Sequence, residues 1–424
     1  MRIYVDSEIG RLRRVLVHRP GREIDWMPPS MMGQLLFDDI LYGEEAREEH
    51  DLFRKVLEQA GVEVLDGQDL LAEVLRDQIP RRDLLAELER EYGVSPGLVA
   101  ALSELPPAEL AATLIEGVRT QAEAETGPRR FFDLPPLPNY FFQRDSGVVL
   151  GERVVVPSMA TEAREREPLL SRTLFAYHPS LQSHAALFDI DVPPSGAPHH
   201  DPHYPYPSLE GGDVVVAAPD IVVVGVSERT NRRGVEVLAE YLRLEETAFR
   251  HLILVELPSK RSYMHLDTVF TLIDHGTCLA HLPVIAPGGP ESARVYYVDL
   301  YSPELTFAVR PSLLKALADL GLDLDVIPCG GATEIIDQQR EQWTDGANAF
   351  AVAPGVILLY QRNRKTIEEL GRRGFRVLPE EEVAAGRHRL LEGGPAVVTL
   401  AANELSRARG GPRCMTMPLE RERV

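Results

Sequence analysis

The sequence predicts an α/β fold built from repeated ββαβ units, with an all-helical segment inserted towards its N-terminal end. Three stretches each hold two short apolar strands around a tight turn, followed by an arginine and a helix, and two of them continue into a third strand. Ahead of these units, apolar residues recur at helical spacing without a strand pattern. Repeated units of this kind form a stacked or circular array.

The chain begins with a strand, a helix and a second strand. Residues 12–18 are rich in valine and leucine and stop at an Arg-Pro-Gly sequence, which is typical of a strand before a turn. Residues 43–60 place apolar side chains at helical spacing, and Gly61 follows them, so a helix is predicted here. Residues 62–65 predict the second, shorter strand.

A helical segment follows, from about residue 66 to residue 127. Two leucine stripes predict its first helices, and prolines at the start of two further stripes predict helices over 96–105 and 107–120. No strand is expected in this segment. We therefore divide the chain into an inserted helical bundle, residues 66–127, and an α/β domain formed by residues 1–65 and 128–424.

The three repeated units begin at Asp145, Asp213 and Asn348. The arginine of the first unit is Arg164, and the arginine of the second is Arg229. Equivalent ends of successive units converge in a stacked or circular array. We therefore expect the aspartates and arginines of the first two units to face one centre.

Composition restricts the class of partner. The 424 residues carry a net charge of −20, which argues against binding to nucleic acid or to an anionic membrane. A small cationic substrate would be attracted, although solubility alone also explains the charge. Three scattered cysteines fit neither a disulfide framework nor a zinc site. They indicate a reducing compartment, and with no signal-like or membrane-length apolar run we expect a cytoplasmic protein.

One cysteine has a distinctive setting. Cys414 follows a Gly-Gly-Pro turn and is flanked by Arg407, Arg409 and Arg413. Glycine and proline exclude a helix interior, so the cysteine is predicted on a loop. Positive charge beside a thiol lowers its pKa and favours the nucleophilic thiolate. The alternative is a buried structural thiol.

Further motifs carry a histidine and carboxylates. His265 and Asp267 alternate as they would on one face of a strand, and Glu210 and Asp213 enclose a glycine pair. Residues 139–145 combine an asparagine, aromatic rings and an aspartate. Singly, each motif also fits a turn, a solvated strand end or a structural pair. Together they suit a planar cation that is clamped by carboxylates, attacked by a thiolate and served by a histidine that moves protons.

A Pro/His-rich stretch at residues 191–207 is predicted to be a surface loop. Histidine-rich tracts bind metals in some proteins. Here five prolines hold the chain extended, and no second group of ligands follows at metal-site spacing. We expect no metal site.

As a set, these motifs resemble arginine deiminases, which belong to the guanidine-modifying (pentein) superfamily. The resemblance extends from residue 7 to the C-terminus, with Gln143 standing where a threonine is expected. It implies a catalytic domain folded as a five-bladed, pseudo-symmetric α/β propeller of ββαβ units, with an inserted α-helical subdomain. It also implies hydrolysis of L-arginine to L-citrulline and ammonia, without a cofactor or a metal.

The resemblance also implies roles for individual residues. Cys414 resembles the nucleophile, His265 the general acid/base, Glu210 the carboxylate that contacts this histidine and the substrate, and Asp145 and Asp267 the clamp on the guanidinium group. The implied substrate-binding set comprises Asn139, Arg164 and Arg229 for the α-carboxylate, Asp213 near the α-amino group, Phe142 along the alkyl chain, and Arg409 as a loop arginine that responds to substrate.

Three other functions stay open at this point. An agmatine deiminase would have no substrate carboxylate for Arg164 and Arg229, and an amidinotransferase would pass the amidino group to an amine. A non-catalytic arginine-binding protein would not need Cys414 and His265. We also expect a homo-oligomer that binds a small substrate and neither nucleic acid nor membrane.

Overall fold

Short strands, most of them in small sheets, form the framework of the protein. The computed structural model describes residues 2–120, 131–181, 186–190, 206–245 and 247–424. The strands of this part of the chain are β1 (Leu12–Val17), β2 (Glu63–Asp66), β3 (Val118–Arg119), β4 (Phe132–Leu134), β5 (Val148–Leu150), β6 (Arg153–Val156), β7 (Ala186–Asp189), β8 (Val214–Ala218), β9 (Ile221–Val226), β10 (His251–Glu256), β11 (Phe270–Asp274), β12 (Thr277–Ala280), β13 (Arg294–Asp299), β14 (Ala308–Arg310), β15 (Asp325–Pro328), β16 (Phe350–Ala353), β17 (Val356–Tyr360), β18 (Arg376–Pro379), β19 (Ala396–Leu400) and β20 (Met417–Arg421).

Helices connect and cover these strands. The α-helices of the described residues are α1 (Arg22–Asp25), α2 (Gly43–Gln59), α3 (Gly67–Val74), α4 (Gln78–Tyr92), α5 (Pro96–Ser103), α6 (Pro107–Glu116), α7 (Glu167–Tyr177), α8 (Arg232–Leu244), α9 (Leu282–Ile285), α10 (Leu313–Asp319), α11 (Ile335–Trp343), α12 (Arg364–Arg372) and α13 (Glu380–Ala384). Among the described residues, no helix has the length and hydrophobicity that a bilayer span requires.

Five sheets share one pattern, in which an antiparallel pair of strands gains a parallel partner beside its second strand. The β5–β6 and β8–β9 pairs are antiparallel, and β7 and β10 then pair in parallel with β6 and β9. The pairs β11–β12 and β16–β17 gain β15 and β19 in the same way. In the fifth sheet, β20 is antiparallel to β1, and β1 is parallel to β2. The protein therefore has an α/β fold with repeated ββαβ units.

The elements predicted at the N-terminus and in the three repeated units are confirmed. Strand β1, helix α2 and strand β2 lie within a residue of the predicted bounds, and each predicted hairpin is present. Two units were not predicted from the sequence. The β11–β12–β15 sheet is interrupted in sequence by β13 and β14. Strand β13 pairs with β10 of the neighbouring sheet, and β14 pairs with β13. The terminal sheet is composed of strands from both ends of the chain.

Four helices, α3 to α6, occupy the predicted helical segment. Asp66, Asp77 and Ser95 cap the first three, each accepting a hydrogen bond from a backbone N–H in the first turn. The prediction that this segment holds no strand is wrong, because β3 pairs with β4 at its end. Leucines of these helices belong to the same buried apolar cluster as β5, β6 and β8, and the division into two domains stays a prediction.

Two earlier predictions fall largely outside the described residues. The last part of the predicted helical bundle, residues 121–127, is one of them. The Pro/His-rich loop is the other, because residues 191–205 are not described.

The last strand, β20, is expected to contribute strongly to stability because it completes the terminal sheet. The Leu419 side chain is fully buried in the core, so Leu419→Ala should lower the free energy of unfolding by about 2–5 kcal/mol. On the same strand, Glu420 makes a partly exposed ion pair with Arg14 at 2.9 Å, so Glu420→Ala should cost about 0–1 kcal/mol. Urea unfolding of both variants measures the difference, and equal costs would contradict the placement of β20.

Candidate active site

One small pocket collects most of the residues singled out in the sequence. Its free volume is about 30 Å³, which holds only two or three water molecules at about 10–15 Å³ each. Its walls include nine of the predicted residues, namely Asn139, Phe142, Asp145, Arg164, Glu210, Arg229, His265, Arg409 and Cys414. Asp213 and Asp267 lie directly behind these walls, bonded to neighbours of the pocket.

The repeated units bring these residues together. Asp145 lies just before β5, and a 3₁₀ helix at Gly211–Asp213 runs directly into β8. A second 3₁₀ helix, Leu266–Thr268, lies just before β11. The same end of three successive sheets thus supplies the carboxylates and the histidine. The repeat predicted this for Asp145 and Asp213, but not for His265 and Asp267, whose unit was not predicted.

The prediction of a strand at His265 and Asp267 is wrong. His265 is extended, with φ −140° and ψ 158°, but the next three residues form the 3₁₀ helix. Side chains replace a strand partner here, since Asp213 Oδ1 accepts a hydrogen bond from Leu266 N at 2.8 Å and Thr268 Oγ1 donates to His265 O at 2.6 Å. These bonds turn the backbone so that both His265 and Asp267 face the region of Cys414.

Glycine at position 212 makes room for the histidine ring. A Cβ atom at Gly212 would lie 2.7 Å from Cγ and Nδ1 of His265 and 2.8 Å from Asp145 Oδ1. A side chain at this position would therefore displace the ring. The glycine pair between Glu210 and Asp213 is a packing requirement of the site and not a plain turn.

His265 lies between two carboxylates. Its Nε2 is 2.8 Å from Glu210 Oε2, and its Nδ1 is 3.7 Å from Asp145 Oδ1. Burial acts to lower the pKa of His265, but Asp145 and Glu210 outweigh it and raise the pKa to about 9. The imidazole is therefore protonated at neutral pH and can donate a proton.

Cys414 is buried, with its thiol directed at a carboxylate. The Sγ atom donates to Asp267 Oδ2 at 3.8 Å, and the backbone N–H is 3.3 Å from Asn348 Oδ1. Burial raises the pKa of Cys414 well above its usual range, and the charges of Asp267 and Asp145 raise it further. In the absence of a cationic ligand, Cys414 is therefore a thiol.

The expectation that the flanking arginines favour the thiolate is wrong for this state of the protein. Arg407 pairs with Asp39 at 2.7 Å. Arg413 pairs with Glu8 and Asp267, and the Arg409 guanidinium lies over the Trp343 ring. The three arginines are close to Cys414 in the sequence, but their side chains bind other groups.

Two aspartates are held in matching ways by buried arginines. Arg164 Nη1 donates to Asp145 Oδ2 at 2.5 Å, and Arg413 Nη1 donates to Asp267 Oδ2 at 2.7 Å. In each aspartate the other oxygen, Oδ1, is buried without a hydrogen-bond partner among the described residues. An unpaired buried carboxylate oxygen is costly, so two of them beside one pocket indicate a cationic ligand with several N–H donors.

The two predicted carboxylate-binding arginines differ in their partners. Arg164 also donates to both oxygens of Glu167, at 2.9 and 2.7 Å, so its donors are used within the protein. Arg229 makes a 3.4 Å contact from Nη1 to Thr161 Oγ1 and has no ion pair among the described residues. Arg229 therefore has capacity for an anionic ligand group.

Three other predicted residues keep local contacts. Asn139 Nδ2 donates to Leu35 O at 2.8 Å. The Phe142 ring packs so closely on Gly410 that a Cβ there would lie 2.3 Å from it. Asp213 uses both oxygens, on Leu266 N and Ser227 Oγ, and burial raises its pKa to about 7.

One trio of side chains lies close enough together to hold a metal ion, namely Asp145, Glu210 and His265. Their possible ligand atoms lie within 4.8 Å of one another, which no other trio in the described part of the chain achieves. Both histidine nitrogens, however, already face carboxylates of the same trio. The absence of a metal stays a prediction.

Sequence reasoning assigned no role to several residues at the site. Asn348 Oδ1 accepts from the backbone N–H groups of Arg413 and Cys414, at 3.1 and 3.3 Å, and so fixes the loop that carries Cys414. The sequence contained a reason to expect Asn348 at the site, because it begins the third repeat just as Asp145 and Asp213 begin the other two. The wall residues Leu36, Met264 and Ala408 carry no comparable signal.

Comparison with known proteins shows the family to which the chain is similar. A family model described as arginine deiminase matches residues 33–421. An arginine deiminase from Bacillus cereus is 35% identical over 441 residues, covering 100% of this chain and 99% of the relative. An arginine deiminase from Latilactobacillus sakei is 32% identical over 445 residues, with the same two shares.

Solved structures of low sequence identity share the fold. An amidinotransferase from Microseira wollei in the saxitoxin biosynthetic pathway has a TM-score of 0.52 at 16% identity, covering 100% of this chain and 98% of that one. The product-bound N-terminal domain of an arginine dihydrolase from the ornithine-ammonia cycle in cyanobacteria has a TM-score of 0.51 at 15% identity, covering 96% and 97%. Together with the family model and the full-length relatives, these comparisons confirm the resemblance found in the motifs. The chain belongs to the arginine deiminase family.

Proposed function

We propose that the protein hydrolyses L-arginine to L-citrulline and ammonia, with Cys414 as nucleophile. The observation that carries this proposal is the pair of unpartnered Oδ1 atoms on Asp145 and Asp267 beside the Cys414 thiol. A guanidinium group has N–H donors in one plane, which two carboxylates can clamp from different sides. The central carbon of the clamped group would then face Cys414.

The other end of the pocket suits a free amino acid. Arg229 has no ion pair within the described residues and would accept the α-carboxylate, with Asn139 and Arg164 nearby in the same wall. Asp213 is assigned to the α-amino side, and the Phe142 ring to the alkyl chain. A cavity with carboxylates at one end and an arginine at the other matches the charge distribution of L-arginine.

The substrate activates its own nucleophile. The charges of Asp267 and Asp145 keep the thiol protonated in the free enzyme. A guanidinium cation between these carboxylates offsets their charge, lowers the pKa of Cys414 and allows the thiol to lose its proton to solvent, since His265 is already protonated. The thiolate then bonds to the guanidinium carbon, and its electrons move onto the attached nitrogens.

His265 serves both half-reactions. Because it is protonated at neutral pH, it gives a proton to one terminal nitrogen, which leaves as ammonia while an amidino group stays on Cys414. The neutral imidazole then takes a proton from water, and the hydroxide adds to the amidino carbon. Breakage of the carbon–sulfur bond then releases citrulline. The proton given up by the added hydroxyl passes to the leaving sulfur and regenerates the thiol. Glu210 keeps the ring oriented through its 2.8 Å contact.

Transfer of the amidino group to an amine is the second candidate reaction, since a structurally similar protein is an amidinotransferase. In that reaction the alkyl-bearing nitrogen of arginine leaves as ornithine and a bare amidino group stays on Cys414, so the two reactions differ in the leaving group as well as in the acceptor. Citrulline formation with no acceptor amine present distinguishes them. The assay should be run with EDTA, because the proposed reaction uses no metal.

We also propose that the five sheets form a five-bladed propeller. Contacts between neighbouring sheets support a circle. Strand β20 contacts β5, the Ser158–Leu209 bridge joins the next two sheets, and the 3₁₀ helix at Leu266–Thr268 contacts β8. Strand β11 contacts β16, and β16 contacts β1 of the terminal sheet. Pairing of β20 with β1 would then close the circle with the two chain ends.

We propose a cytoplasmic location because the three cysteines are free thiols. Cys278, Cys329 and Cys414 are all free thiols, and free thiols persist in reducing compartments. The expected homo-oligomer, and the expectation that neither nucleic acid nor membrane is bound, stay predictions.

Replacing the nucleophile should abolish turnover. We expect Cys414→Ala to reduce ammonia release from L-arginine by at least roughly 10⁴-fold, since loss of a nucleophile leaves only binding and electrostatic catalysis. Cys278→Ala and Cys329→Ala are matched controls and should retain most activity, because both thiols lie in the core away from the pocket. Ammonia release by the Cys414→Ala enzyme at the wild-type rate would rule out the assignment.

Replacing Arg229 should change the choice of substrate. Arg229→Leu should lower kcat/KM for L-arginine by roughly ten- to a hundred-fold, the equivalent of one lost charge-assisted hydrogen bond. Agmatine lacks the α-carboxylate, so its already low kcat/KM should change much less. Steady-state ammonia release on both substrates measures this, and an equal loss on the two would exclude Arg229 as the carboxylate-binding residue.

A further inference from the structure

One buried arginine beside Cys414 has no ion pair. Arg144 is 3% exposed, and in the part of the chain that the structure describes no carboxylate pairs with its guanidinium. Its Nη2 atom is buried without a hydrogen-bond partner among those residues. A buried charge without a partner is costly, so its presence at this position requires a reason.

The side chain of Arg144 lies against the backbone that carries Cys414. The Arg144 backbone N–H donates to Cys414 O at 3.0 Å, and the Arg144 Nε donates to Arg413 O at 3.4 Å. These two carbonyl groups are the ones on either side of the Cys414 α-carbon. Arg144 is absent from the described residues that line the pocket. It therefore approaches Cys414 from behind the pocket wall.

The charge of Arg144 is coupled to the charge of Cys414. Burial and, to a smaller extent, the charge of Arg413 lower the pKa of Arg144 to about 10. The groups that oppose this change are Glu8, Asp267 and Cys414. Coupling between two charges is reciprocal, so a guanidinium that is stabilised by a Cys414 thiolate also stabilises that thiolate.

The other charged groups around Cys414 are placed differently. The carboxylates that raise its pKa, in addition to burial, are those of Asp267, Asp145 and Asp345. Arg413 and Arg164 are each paired with two carboxylates. The other charged groups belong to the pocket wall and face the ligand, namely Glu210, Arg229, His265 and Arg409. Arg144 therefore differs from all of these, since it has neither an ion pair among the described residues nor a place in the pocket wall.

We propose that Arg144 is a positioning residue that holds a fixed positive charge behind Cys414 and stabilises its thiolate during the reaction. The inference rests on the proposed function, in which Cys414 is the nucleophile. In the free enzyme the surrounding carboxylates keep the thiol protonated. Once a guanidinium substrate offsets Asp145 and Asp267, the charge of Arg144 favours the thiolate. The buried charge lowers the stability of the fold in exchange for reactivity at Cys414.

The direct test is the variant Arg144→Met, which replaces the charge with a neutral side chain. Iodoacetamide reacts with the thiolate form of cysteine, and mass spectrometry of the Cys414 peptide measures the rate in the free enzyme across a range of pH. We expect alkylation at neutral pH to be roughly ten-fold slower than in the wild type, with the profile displaced to higher pH. The kcat/KM for L-arginine should fall by roughly the same factor. The melting temperature should equal or exceed that of the wild type, because an unpaired buried charge is removed.

Arg421 provides a matched control. It is 2% exposed, donates from Nη1 to Gly10 O at 2.7 Å, and has no partner for Nε and Nη2 among the described residues. Burial lowers its pKa to about 9, and the charges that act on it are Glu8, Arg144 and Arg413. Arg421→Met should therefore also keep or raise the melting temperature, but it should leave the alkylation profile of Cys414 unchanged.

A second variant, Arg144→Lys, keeps a positive charge without the guanidinium donors. Its Cys414 should be alkylated faster than that of Arg144→Met at neutral pH. An alkylation profile in Arg144→Met that equals the wild-type profile would overturn the proposal, as would an equal displacement in Arg421→Met. A lower melting temperature or failure to fold in Arg144→Met would do so as well, since the charge would then be required by the fold. Alkylation needs no turnover, so a wild-type enzyme that released no ammonia from L-arginine would refute the proposed function and not the effect of Arg144 on the thiol.

Discussion

The buried side chain of Arg413 joins the parts of the molecule that make the site. It donates to Glu8 near the N-terminus, to Asp267 ahead of β11 and to the carbonyl of Val214 at the start of β8. Burial acts to raise the pKa of Glu8, but Arg413 and Arg144 outweigh it and lower the pKa to about 2. Removing one member of such a network leaves uncompensated charge, at a cost of about 3–5 kcal/mol. Arg413, the residue before Cys414, thus determines where Cys414 and Asp267 lie.

The same network leaves the site short of positive charge. Arg413 and Arg164 each use one oxygen of an aspartate and leave the other buried without a hydrogen-bond partner among the described residues. The free enzyme therefore keeps a protonated thiol beside two carboxylates with unsatisfied oxygens, a state that a guanidinium cation stabilises. In the proposed mechanism, substrate binding and thiol activation are therefore one electrostatic event. A neutral isostere of arginine would not lower the pKa of Cys414.

Many residues of the site could be predicted from the sequence, because residues at equivalent positions of the repeated units come together in the fold. Asp145, Asp213 and Asn348 begin equivalent units, and all three lie at the site. Side-chain directions could not be predicted in the same way. The arginines around Cys414 bind partners from distant segments, and His265 and Asp267 lie at a 3₁₀ turn that depends on hydrogen bonds to Asp213 and within the turn. The two unpredicted sheets are interrupted or divided between chain ends, so no local pattern contained them.

The central claim is that an amidino group passes through Cys414. Acid quench of the enzyme during turnover of L-arginine, followed by mass spectrometry of its peptides, tests it most directly, with His265→Ala as the variant in which water activation is removed. The account predicts that the Cys414 peptide gains the mass of arginine less ammonia, and that Cys278 and Cys329 stay unmodified. Citrulline formation without this adduct, or an adduct on either of the other two cysteines, would contradict it.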